Sequence, residues 1–121
     1  MALLFFMNRQ FKTGANRNSD EGKHDIEGFN NPLVDESFHA YMHKHRALED
    51  GTMRDGDNWQ KGLPSKELLK SMLRHVFDIR LQMRGYETEE DLLDSLNAVK
   101  FNVNGLILHI MEDYKKDEKM S

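Results

Sequence analysis

The sequence predicts an all-α fold: a small bundle of about three main helices with long N-terminal and middle loops, completed by association between copies. Three observations carry that expectation. Apolar residues recur at helical spacing in three segments, 33–50, 65–84 and 88–114. Polar, glycine-bearing stretches, 8–32 and 51–64, separate them. The third segment sets Leu92, Leu96, Val99, Val103, Leu106 and Ile110 at steps of 4, 3, 4, 3, 4. That heptad-like seam is wider than one thin bundle needs, so it points to a homodimer or homotetramer.

Each element has local signals. Pro32 opens the first segment, where Val34, Phe38, Tyr41 and Met42 share a face, and Gly51 is its expected stop. Ser65 caps the second segment and Glu67 suits its first turn. Its apolar face is Leu68, Met72, Leu73, Val76, Phe77 and Met83, and Gly85 ends it. Thr88 opens the third, with Asp91 three residues on as the acidic half of a capping box. The 121 residues fit one domain, divided into an arm (1–31), a helical core (32–114) and a polar tail (115–121) that is expected to fray.

Composition narrows the function classes. Seventeen basic residues against 21 acidic ones give a net charge of −4, which argues against general nucleic-acid binding. A few placed cations and a metal still suffice for a single nucleotide. The absence of cysteine removes disulfides and thiolate metal sites and permits a cytosolic setting. The apolar start "MALLFFM" is too short to span a bilayer or to serve as a signal peptide. It reads as a first strand or packing arm.

Several patterns could carry chemistry. Ser71, His75, Asp78 and Gln82 step by 4, 3, 4 along the second helix, with Arg74 placed to pair with Asp78. Such a line is either a solvated face or an inward polar line that holds a ligand or metal. Glu90, Asp91 and Asp94 group acids at helical spacing, suited to Mg²⁺ or Mn²⁺, although the helix dipole favours first-turn acids whatever the function. Asn97, Asn102 and Asn104 are unusual in a helix interior and either fix register or read a base edge. "HAYMH" lacks the glutamate of a metalloprotease helix, and a zinc site is not expected. Trp59 and Lys61 in "DNWQKG" could stack a base and meet a phosphate, or Trp59 could plug the core. Thr13, Arg17 and Lys23 lie among glycines as a possible phosphate cradle, without P-loop spacing.

The order of these pieces, "TGANRNSDEGKHD", "DNWQKGLP", "SMLRH" and then an acidic patch running into "LDSLNAVKFN", resembles a family of small phage and prophage proteins. Its members are described as dATP/dGTP diphosphohydrolase-like and are related to the all-α nucleotide pyrophosphohydrolases of the MazG type. The likeness covers residues 12 to about 110. It implies a helical oligomer that uses clustered acids on neighbouring helices to hold Mg²⁺ or Mn²⁺ and hydrolyses a purine (deoxy)nucleoside tri- or diphosphate. It also implies a setting in the cytoplasm of an infected or lysogenic bacterial host. Under that resemblance Asp78 and Asp94 are catalytic and bind metal together with Glu90 and Asp91. Arg17, Lys23, Lys61, Arg74 and His75 meet phosphates, while Trp59 and Asn102 shape the base pocket. Two positions depart from the pattern: the earlier helix has no ExxE, and Ser95 stands where members often carry His. The alternatives are a non-catalytic protein that sequesters a nucleotide, and a structural helical oligomer.

Overall fold

The computed structural model describes residues 8–10, 12–19 and 21–120. The described chain is mostly helical, as expected. It divides into two units, Met1–Val34 and Asp35–Ser121. In the first, β1 (Asn8–Gln10) pairs antiparallel with β2 (Asn16–Asn18), Arg9 opposite Arg17. Gly14, at φ 88, makes the turn between them, a conformation that costs glycine little. A helical turn follows, α1 (Ile26–Phe29), with Asp25 accepting from Gly28 N at 2.9 Å. The arm expected as plain loop thus holds a hairpin and a capped turn. The "MALLFFM" run lies outside the described residues.

The second unit contains the rest of α2 (Pro32–Lys44), a 3₁₀ turn at Asn58–Gln60, α3 (Ser65–Gln82) and α4 (Leu92–Met120). α2 stops six residues short of the expected end at 50. Past Lys44 the backbone folds into a hairpin: Arg54 N donates to Arg46 O at 2.8 Å, and Leu48 N to Thr52 O at 2.9 Å. Gly51, at φ 86, turns this hairpin instead of ending the helix.

Gly85 does end α3. Its N–H donates to Gln82 O and that of Tyr86 to Leu81 O, the paired bonds of a Schellman motif, with Gly85 at φ 87. α4 starts at Leu92 and not at Thr88, because Asp91 is the capping side chain: its Oδ1 accepts from Asp94 N at 2.8 Å. At the other end the helix runs through the expected tail to Met120. Lysine and glutamate there are good helix formers, and Lys115 pairs with Glu118 one turn on. No helix among the described residues is long and apolar enough to cross a membrane.

α3 packs along α4, and the buried face of α4 is not the heptad seam. Leu96 and Ile110 are exposed, while Ser95, Ala98, Asn102 and Gly105 are buried. Small side chains let the two helices approach closely. A Cβ on Gly105 would lie 2.9 Å from Leu68 Cδ1, inside contact distance. Among the described residues, the buried apolar ones are Tyr41, Leu68 and Ala98. On α3, Leu73 and Phe77 of the expected apolar face remain more than half exposed.

Candidate functional site

The line Ser71, His75, Asp78 and Gln82 faces inward, all four half-buried. Three of them bond to α4 or the segment leading into it. Asn102 Nδ2 donates to Ser71 Oγ at 3.3 Å. His75 Nδ1 lies 2.5 Å from Glu90 Oε1. Gln82 Nε2 is 2.6 Å from Thr88 Oγ1, 2.9 Å from Glu90 O and 3.1 Å from Ser95 Oγ. The solvated-face alternative is thereby excluded. Arg74 and Asp78 make no ion pair among the described residues.

Glu90 is held from several sides. The Schellman turn at Gly85 sends the chain back along α3, and Gln82 pins the returning segment. Ser95 Oγ donates to Glu90 Oε1 at 2.9 Å. Ser95 is fully buried, so this bond is shielded from water. Ser95 therefore orients the carboxylate that contacts His75. Gln82 Oε1 is buried without a partner among the described residues.

One ligand atom each from His75, Asp78 and Glu90 all fall within 4.8 Å of one another. Ligands across an octahedral ion at about 2.1 Å stand roughly 4.2 Å apart, so small side-chain rotations would close this set on a divalent cation. One imidazole and two carboxylates fit Mn²⁺ better than Mg²⁺, which strongly prefers oxygen.

The other acids named from sequence have different partners. Asp91 caps α4. Asp94 Oδ2 accepts an ion pair from Lys44 of α2, and this bond raises the Lys44 pKa. Tyr41 of α2 is buried, and its pKa is pushed up to about 12 by burial first and then by Glu90 and Asp94. The His45 ring stands 4.3 Å from that of Tyr41, and burial, then Lys44, lowers its pKa.

Two cavities flank the cluster and share His75. One, of about 430 Å³, is bordered by Trp59, Phe101, Asn102, His45, Arg46 and Arg54 among others. The other, of about 710 Å³, is more open and is bordered by Arg74, Asp78, Glu89 and Glu90 with Leu73 and Phe77. Of the residues named from sequence, His75, Asp78, Glu90, Arg74, Trp59 and Asn102 thus gather around the cluster and its two cavities. Asn102 is fully buried and its Nδ2 is also bonded to Ala98 O at 2.8 Å, so its amide nitrogen serves helix packing. Lys61 is exposed and paired with Asp55 at 3.2 Å. Arg17 and Lys23 belong to the first unit, on β2 and in the turn before α1.

Sequence reasoning missed Tyr41, Lys44, Arg46 and Arg54. The signal for Arg46 and Arg54 was the turn at Gly51, which brings them opposite each other once it is read as a hairpin; Tyr41 and Lys44 had no such local signal. Searches against protein-family models, curated proteins and solved structures each find no significant match to this chain.

Proposed function

We propose that the chain is a metal-dependent nucleotide pyrophosphohydrolase acting on purine (deoxy)nucleoside tri- or diphosphates. The observation that carries this reading is the convergence of His75, Asp78 and Glu90 at the edge of the 710 Å³ cavity, with His75 also bordering the 430 Å³ one. The sequence resemblance supplies the substrate class and the host-cytoplasm setting. A bound divalent ion would activate water and neutralise phosphate charge. The protein's own part is to fix Glu90 through Ser95 and Gln82, to offer Arg74 to a phosphate, and to stack a base on Trp59.

The test is turnover of a panel of nucleoside tri- and diphosphates with Mn²⁺ or Mg²⁺, resolved by chromatography. Metal-dependent release of a monophosphate, lost in Asp78→Asn and in Glu90→Gln, is the expected result. Turnover unchanged in both variants would refute the assignment. Asp94→Asn should weaken activity less, through the freed Lys44.

A sequestering protein is the second reading. It is favoured by Asp91 and Asp94 being taken up in a cap and an ion pair, which leaves two carboxylates at the cluster. Tight binding of intact nucleotide without metal would select it.

The same reading includes self-association. Leu69, Leu73 and Phe77 form an exposed stripe on α3, and Leu96, Ile107 and Ile110 are exposed on α4. With so few apolar residues buried within the unit, a second copy is the economical cover. Phe77→Glu should shift the mass measured by light scattering to that of a single chain. A wild type already of that mass would remove this part.

A further inference from the structure

The 430 Å³ cavity is locally cationic in an acidic chain. Arg46 and Arg54 border it, together with four histidines. Asp55, its acidic neighbour, is engaged by Lys61. The two arginines face each other across the hairpin bridged at Ala47 and Met53. Arg46 Nε donates to Arg54 O at 2.8 Å, and Arg54 Nη1 donates to His45 O at 3.4 Å. These bonds orient both guanidinium groups, yet the remaining N–H donors of each have no protein acceptor among the described residues. Like charges opposite each other on paired strands are destabilising, and an anion between them would relieve that cost.

The neighbouring cavities give this cationic stretch its surroundings. The cavity shares His75 with the metal-ligand cluster on one side. It shares Met42, Trp59 and Phe101 with a third, aromatic cavity of about 200 Å³ on another. Arg46 and Arg54 border neither neighbour. An aromatic shelf and two guanidinium groups border one cavity, and His75 links that cavity to the His–Asp–Glu cluster; these are the surfaces that a base, a phosphate chain and a phosphate-bound cation require. The volume is within the usual range for a small-molecule site, about 300–1,000 Å³.

We propose that Arg46 and Arg54 form the seat for the di- or triphosphate chain of the ligand, between the Trp59–Phe101 shelf and the His75–Asp78–Glu90 cluster. This deepens the nucleotide reading above and names two ligand-binding residues that it lacks. The seat recognises linked phosphates through paired guanidinium forks, so it should take inorganic pyrophosphate or tripolyphosphate without a nucleoside.

The experiment is calorimetric titration of the full chain with inorganic tripolyphosphate in the presence of chelator. Wild type should bind. Arg54→Gln and Arg46→Lys should each weaken binding by roughly tenfold or more. Arg80→Gln removes the same charge from the exposed face of α3 and should bind like wild type. Circular dichroism checks each fold. If Arg46→Lys disturbs the hairpin, Arg54→Gln decides. No binding by wild type, or equal binding by wild type and a folded Arg54→Gln, overturns the proposal. Loss in Arg54→Gln combined with no turnover of any nucleotide would leave the seat standing and remove the hydrolase, so the two failures are distinct.

Discussion

Gly105→Ala tests the packing that sets α3 against α4. An added Cβ would stand 2.9 Å from Leu68 Cδ1 and 3.3 Å from Cδ2. Leu68 is 4 % exposed, so its methyl groups have little room to withdraw. Overpacking of this kind costs about 1–3 kcal/mol. Alanine in place of glycine within a helix returns about 1 kcal/mol. The net expectation is a loss of about 1 kcal/mol, or roughly 4–8 °C in melting temperature. The decisive comparison is made in a Leu68→Ala background. That change alone costs about 2–5 kcal/mol but removes the clash. There Gly105→Ala should stabilise by about 1 kcal/mol, a reversal of sign. Urea unfolding of the four proteins, followed by far-UV circular dichroism, reads both steps. Stabilisation in both backgrounds, or equal loss in both, would refute the close-approach argument.

Ser95→Ala removes the donor that orients Glu90. It should lower Mn²⁺ affinity about 10–100-fold in a direct titration while costing only about 1 kcal/mol in stability. His45 links stability to pH: burial and Lys44 lower its pKa from 6.5, so below that value the unfolded chain binds more protons. Stability should therefore rise with pH through the window below 6.5 and then level. His45→Gln should flatten the slope, as read from melting temperatures across that range.

Much of the fold was legible because its signals are local. Gly85 stops α3 through its own positive φ, and the 4, 3, 4 spacing of Ser71, His75, Asp78 and Gln82 placed them on one face. Spacing does not say which face turns inward. The heptad seam does not tell which face of α4 meets α3: α4 turns Ser95, Ala98, Asn102 and Gly105 toward α3 and leaves Leu96 and Ile110 exposed. Gly51 misled. A glycine with positive φ ends helices and turns hairpins alike, and only the Arg46–Arg54 and Leu48–Thr52 bonds decide between them. Lys44 and Asp94 are 50 residues apart, so their pairing depends on tertiary packing that no local pattern encodes.

The α3–α4 contact carries a polar line beside its Leu68–Gly105 packing, and Gln82 states the trade in one side chain. Its Nε2 fixes the segment carrying Glu90, but its Oε1 is buried with no partner among the described residues, a cost of about 1–3 kcal/mol. Methionine has similar length and no such acceptor. Gln82→Met should therefore change stability by no more than about 1 kcal/mol, the relieved oxygen offsetting the lost donor bonds. Affinity for Mn²⁺ should fall about tenfold or more, because Glu90 is no longer held toward His75. A large loss of stability with unchanged metal affinity would make Gln82 a packing residue and detach the polar line from the site. Stability kept and affinity lost would mean that the polar interior of this helix pair is there to position the cluster.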